Sequence, residues 1–288
     1  MPDRAATARG QRLALLGLGA NLALAAIKLA AGVLGHSYAL VADAVESLLD
    51  VVGSAVIWGG LRYGAKPADR EHPYGHGRAE TIAALVVALI ILAAGVGIAI
   101  ESVREILTPH RAPAWWTLLV LACVVAVKEG LFRVVHLEGS LQSSDALHTD
   151  AWHHRSDAIT SAAAFLGVGV AVLGGPVWAD DAAALFASGV IVFNAARLLR
   201  RPFRDLMDTT APDVAQRAAD VAAADRQVDR VEQAHARRIG RRFWIDMHLE
   251  VDPAMRVDEA HRVTGRVKEA IRADDPRVTN VLVHVDPH

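Results

Sequence analysis

Asp43, Glu46 and Asp50 stand three and four residues apart inside a long apolar run, and His153 and Asp157 stand four apart at the head of another. On an α-helix those spacings stack side chains on one face, so each run can turn its polar groups toward a bundle interior and away from lipid. A carboxylate at the centre of a membrane helix costs about 2.5–3.5 kcal/mol on insertion scales and is ordinarily kept there for a task. Glu46, Asp50, His153 and Asp157 supply four oxygen and nitrogen donors, the number a tetrahedral zinc site needs. The same donors suit other borderline divalent ions, because geometry and not affinity does the selecting. Asp43, Asp150 and His154 are equally well read as structural, His148 crowds the same segment, and Asn21 is expected to bond across helices. The competing reading is that the acids form ion pairs with Lys28, Lys128 or Arg155.

A carrier must also release its ion. Histidine has the unperturbed pKa nearest neutrality and holds metal only when deprotonated, so proton and metal binding at His153 exclude one another. The residues therefore point to exchange of metal for protons around a site near the bilayer midplane.

Six apolar runs must position these groups: 13–34, 38–61, 81–100, 115–135, 158–173 and 179–196, each near the length that crosses a bilayer. They account for 53% hydrophobic against 22% charged residues in a chain of 288. The formal net charge of −2 gives no footing for nucleic acid. The first run is too long for a signal-peptide core. Arg4, Arg9 and Arg12 precede it, Arg62, Lys66, Arg70 and Arg78 lie between the second and third runs, and Arg197, Arg200, Arg201 and Arg204 follow the sixth. The opposite connections hold Arg111 alone, which predicts both termini in the cytoplasm. Cys123, the single cysteine, lies inside the fourth run, so neither an intramolecular disulfide nor a thiolate cluster is available. Residues 1–12 read as a cytoplasmic tail and 13–204 as the transmembrane domain.

Residues 205–288 change character, with charge spread throughout and no long apolar run, and read as a soluble domain. Residues 212–224 are Ala-rich and suit a helix. Phe243, Ile245, Met247, Leu249 and Val251 alternate with polar neighbours as a half-buried strand does, 257–271 has helical periodicity, and 278–285 is β-branched. The order helix, strand, strand, helix, strand suggests an α+β domain with helices on one face of a sheet. His235, His248, His261, His284 and Asp286 gather in this domain, with His284 and Asp286 on one face of the last strand. The loop after the second run holds Asp69, His72 and His76 around Pro73 and Gly75; two histidines four apart with an upstream carboxylate can bind metal, and a solvated turn is the alternative.

The pieces ADAVESLLD, HPYGHGRAE, DAWHHRSD, WADDAAALFASG and VHVDP together resemble the cation diffusion facilitators, bacterial zinc and iron efflux type, from about residue 12 to 288. The resemblance implies an α-helical membrane protein: a homodimer with six transmembrane helices and a ferredoxin-like αββαβ cytoplasmic domain that senses metal and regulates transport. It implies a secondary transporter, not an enzyme, in the inner or plasma membrane of a bacterium, moving Zn2+ first, with Fe2+, Mn2+, Co2+, Ni2+ and Cd2+ as further cargo. The family's transport site maps onto Glu46, Asp50, His153 and Asp157, and its loop site onto Asp69, His72 and His76. Its cytoplasmic binuclear zinc site maps onto His235, His248, His261, His284 and Asp286, and its interlock at the membrane–cytoplasm junction onto Arg78 and Asp208. The sequence departs from the pattern at Glu46, where His or Asp is usual, and this bears on metal selectivity. Two other classes compete: an intramembrane metal hydrolase, for which the His-Glu-x-x-His helix is missing, and a membrane metal sensor.

Overall fold

The computed structural model describes residues 4–108, 111–142 and 145–288, with the side chains of 4–18, 20, 138–142, 145–154 and 156 outside the description. Six long helices come first: α1 (Arg4–Gly35), α2 (Tyr38–Gly64), α3 (Arg78–Leu107), α4 (Trp116–Gln142), α5 (Asp145–Val172) and α6 (Trp178–Leu206). Several outrun the apolar runs that predict them, because helix continues through polar residues once its backbone bonds are made. At about 1.5 Å per residue, each is longer than the roughly 30 Å hydrocarbon core of a bilayer. Among the described residues, α3 and α6 are long and apolar enough to cross a membrane on composition alone. The carboxylates Asp43, Glu46 and Asp50 interrupt the apolar character of α2.

All six helices feed one core at the end of the bundle where α1 meets α2. Ala31, Ala39, Leu40, Ala42, Leu121, Ala164, Val168 and Ala184 are buried there, with Ile98 packed against them. Small residues allow this closeness: a Cβ on Gly167 would lie 2.3 Å from that of Ala183. The α1–α2 connection is tight, with His36 at a φ of 53°. Asp180 of α6 then caps α2, accepting from Ser37 Oγ at 2.8 Å and the Tyr38 backbone N–H at 2.7 Å. A carboxylate at a helix N-terminus satisfies an orphan donor and complements the dipole, which explains a buried Asp in the WADD stretch.

The chain forms two compact units. One takes in α1, the first part of α2, most of α3, α4, α5 and most of α6; the other holds the facing ends of α2 and α3 with their loop, the end of α6 and everything after. In the second unit follow α7 (Pro212–Ala223), β1 (Arg230–Ile239), β2 (Arg242–Val251), α8 (Val257–Asp274) and β3 (Val278–Pro287). The sheet order is β1-β2-β3, with β1 antiparallel and β3 parallel to β2. A parallel pair requires a crossover, and α8 supplies it. Gly240, at a φ of 62°, turns the β1–β2 hairpin. Phe243, Ile245, Met247 and Leu249 are buried against Ala215, Ala218 and Ala222 of α7 and Val263, Val267 and Ile271 of α8. Each large apolar side chain buried this way contributes about 1.5–3 kcal/mol, so both helices stay on one face. The other face of the sheet carries Asp246, His248, His284 and Asp286, with Trp244 and exposed Leu282 beside them.

Candidate metal centres

Within the bundle, two buried lysines meet the buried acids. Lys28 of α1 donates from Nζ to the backbone oxygen of Asp43 at 3.0 Å and to Ser47 Oγ at 2.7 Å, and lies 3.0 Å from the Asp43 carboxylate. Ser161 of α5 donates to that carboxylate, 2.9 Å from each oxygen. One turn earlier on α5, Asp157 Oδ2 lies 2.6 Å from Lys128 Nζ of α4, which also donates to Asn21 Oδ1 of α1 at 2.7 Å. Asn21 thus bonds across helices as its type predicts. Glu46 is half-buried between these pairs and feels the charges of Asp157, Asp43, Asp50 and Lys28, with Asp157 the strongest. Asp43 thus meets α5 directly through Ser161, one turn from Asp157, and Glu46 lies close enough to feel both Asp50 and Asp157. His153 belongs to α5 one turn before Asp157, and its side chain lies outside the described residues, as do those of His148, Asp150 and His154.

The ion-pair reading holds for two of the acids. Asp43 and Asp157 do pair with lysines, and Ser161 of α5 links the two helices by holding the Asp43 carboxylate. Lys28 and Lys128 entered the sequence reading only as rival ion-pair partners, and Ser161 did not enter it. A lysine costs as much as a carboxylate in a membrane helix, so the signal for two of them was present.

In the loop between α2 and α3, Asp69 Oδ1 accepts the backbone N–H of His72 at 2.7 Å and of Glu71 at 3.1 Å. That geometry, first the His72 N–H, holds the Asp69 carboxyl below its ordinary pKa. His72 Nδ1 lies 3.2 Å from Asp69 Oδ1 and His76 Nε2 lies 3.3 Å from Asp69 Oδ2. His76 Nδ1 sits 3.1 Å from the Pro67 carbonyl. Donation there leaves the Nε2 lone pair aimed at Asp69, an arrangement that a cation between them relieves. Next to the loop, Arg78 Nη2 meets Asp208 Oδ1 at 2.9 Å, and Arg237 reaches the other oxygen of Asp208 at 3.7 Å.

On the polar face of the sheet, His248 Nδ1 and His284 Nε2 each lie 3.1 Å from Asp286, on its two oxygens. Their three ligand atoms fall within 4.8 Å of one another. Metal–ligand bonds of about 2.0–2.2 Å need comparable separations. The β2–β3 register places His248 opposite His284. His235 lies on the same face, opposite Asp246, and its ring contacts Gln233. His261 is exposed on α8, across the sheet from the others, because Val263, Val267 and Ile271 fix which side of that helix faces the core. So three of the five expected cytoplasmic residues come together within one chain, and His235 and His261 stand apart. Beside them, Glu250 is paired with Arg230 and lies 2.7 Å from His288 Nδ1, and these partners lower its pKa to about 2.

The model of the cation efflux transmembrane domain matches residues 14–207, and that of the cation efflux protein cytoplasmic domain matches 211–288. The chain belongs to the cation efflux family, the cation diffusion facilitators. Its relatives in that family include the manganese efflux system protein MneP of Bacillus subtilis, 30% identical, with 96% of each chain covered. Metal tolerance protein C1 of Arabidopsis thaliana is 35% identical over 96% of this chain, which spans 62% of that protein's length. Among solved structures, a MamM CTD in a nickel form is 27% identical and covers 27% of this chain and 99% of that one, with a TM-score of 0.27. Cation efflux proteins are membrane metal transporters, and the buried acids lie within the part of the chain that carries the transmembrane match.

Proposed function

We propose that this cation efflux protein exports a divalent transition-metal cation from the cytoplasm in exchange for protons, with Zn2+ as the first cargo. Glu46, Asp50, His153 and Asp157 hold the ion between α2 and α5 in a six-helix bundle that alternates its opening. The observation that carries this reading is the meeting of buried carboxylates across α2 and α5, where Ser161, one turn from buried Asp157, holds both oxygens of buried Asp43. Large apolar side chains exposed on every helix, among them Ile27, Val52, Ile100, Leu119, Leu166 and Phe193, are supported by a lipid surround. His153 is the group at which protons compete with metal. Asp69, His72 and His76 take a second ion. His248, His284 and Asp286, with His235 and His261 contributing from this chain or a second copy, take regulatory ions in a homodimer that the Arg78–Asp208 pair steadies. Residues 205–288 form the regulatory domain after a transport domain of 13–204, and both termini face the cytoplasm of a bacterium at its inner membrane.

A second cargo is favoured by one observation. Three carboxylates to one imidazole is an oxygen-rich set of the kind that suits Mn2+, and a relative of similar length is a manganese efflux protein. Uptake of Zn2+ and Mn2+ into proteoliposomes under an imposed pH gradient tests both, for the natural chain, Glu46→His and Asp157→Ala. Uptake indifferent to the gradient removes the proton exchange. Unaltered uptake by Asp157→Ala removes the site, and no metal flux at all leaves a sensor.

A further inference from the structure

Lys128 and Lys28 are both fully buried cations beside buried acids, yet they are held differently. Lys28 is tied to one helix, α2, through the backbone and carboxylate of Asp43 and the hydroxyl of Ser47, while Ser161 holds both oxygens of that carboxylate. It is a fixed strut. Lys128 instead divides its ammonium between a carboxylate, Asp157 of α5, and a neutral amide, Asn21 of α1, at 2.6 and 2.7 Å. A long four-carbon stem with rotatable donors can shift weight from one to the other.

We propose that Lys128 is a tethered competitor of the cargo ion: it holds Asp157 while no metal is bound, retreats onto Asn21 when a divalent ion takes that carboxylate, and returns as the ion leaves. The inference rests on the reading of Asp157 as a transport ligand. Two features of the bundle carry it. A buried carboxylate without a counter-charge is costly, so the site needs a cation between one cargo ion and the next. A tethered ammonium has a high effective concentration at Asp157, so it can speed release of a metal that the acids alone would retain.

The test is equilibrium binding of radiolabelled Zn2+ to the full chain in nanodiscs. Asp69→Ala, His72→Ala, His248→Ala and His284→Ala are present in every sample so that the exposed clusters do not contribute. Lys128→Met is expected to bind Zn2+ about tenfold more tightly or better, because a positive charge near the ion has gone, and to release it more slowly. Lys128→Arg is expected to bind more weakly than the natural lysine, since a planar guanidinium can occupy both carboxylate oxygens. A residue that merely props the helices apart predicts the reverse order, with Met weakened and Arg restored. A Kd for Lys128→Met equal to or above that of the natural lysine overturns the proposal. Should the Met variant not fold, Lys128→Arg decides alone: a raised Kd supports competition, and an unchanged one overturns it. Asp157→Ala in the same background that leaves Zn2+ binding intact sinks the transport-site reading itself and is thereby distinguished from a failure of Lys128.

Discussion

The buried acids of the bundle and the exposed acids of the loop and the C-terminal domain use the same chemistry in opposite surroundings. Asp157 and Asp43 are almost wholly buried and each has a lysine at its carboxylate. Asp69 and Asp286 are half exposed or nearly so, and their neighbours are histidines. Water stabilises an exposed carboxylate before any metal arrives, so histidine, a ligand that brings no obligatory charge, can stand beside it. Within the bundle there is no such solvent, and the counter-charge must be built into the chain. The difference teaches that a buried carboxylate needs its counter-charge built into the fold, so a dication site proposed there must be designed around its metal-free state as much as its loaded one.

The sharpest way to break this comparison is to delete one acid from each region. Asp157→Ala is expected to lower metal flux by about a hundredfold or more, since losing even an outer-shell partner of a metal costs about 10–100-fold, and to destabilise the fold by about 3–5 kcal/mol, because Lys128 is left buried against an alanine. Flux assays and thermal unfolding of the same preparation measure the two effects. Lys28→Met should cost a similar 3–5 kcal/mol by orphaning Asp43. It should leave the relative affinities for Zn2+ and Mn2+ alone, since Lys28 is a strut; replacing Asp43 by Leu in the same chain should return most of the lost stability. A stable Lys28→Met single variant would contradict the view that the buried charges need one another.

On the exposed side the expected effects are smaller and depend on metal. Asp286→Ala removes the carboxylate that both His248 and His284 approach. Metal-free stability should change by less than about 1 kcal/mol, as for other surface ion pairs. Binding at a concentration a hundred times Kd stabilises a fold by about 2.7 kcal/mol, so the Zn2+-dependent rise in unfolding temperature should shrink or vanish in the variant. A full rise in Asp286→Ala would show that the metal responsible sits elsewhere.

How far the sequence reaches into this contrast follows from which forces are local. Spacing put Asp43, Glu46 and Asp50 on one face of α2, and alternation put Phe243, Ile245, Met247 and Leu249 on the buried face of β2. Both are one-dimensional signals, read from a single helix or strand. Partners on other elements are a different matter. Nothing in the neighbourhood of Lys128 in the sequence points to Asn21, 107 residues away, or nothing near Asp180 to the start of α2. The placement of His261 depended on the orientation of α8, which the apolar residues Val263, Val267 and Ile271 decide by packing on the sheet, so a histidine count could not tell that it lies across from His248. The parallel pairing that sets His248 opposite His284 likewise required the α8 crossover to be known.

The smallest effect sharpens the comparison at the boundary between the two environments. Glu250 is a buried carboxylate of the cytoplasmic domain whose counter-charges, Arg230 and His288, reach it from exposed positions. First Arg230 and then His288 lower its pKa from 4.5 to about 2. A group whose folded pKa is depressed contributes stability that is complete above its unfolded value and is lost as pH falls through the folded one. The contribution of Glu250 should therefore be intact above about pH 4.5 and fade between there and about pH 2. Glu250→Gln should be less stable than the natural chain at neutral pH, and the two should converge as the medium is acidified through that window. Unfolding followed by Trp244 fluorescence, with the other tryptophans replaced, reports on the same strand. If the gap between the two chains stays constant down to pH 2, the pairing has no electrostatic share in stability, and exposed partners do not serve a buried acid as Lys128 serves Asp157.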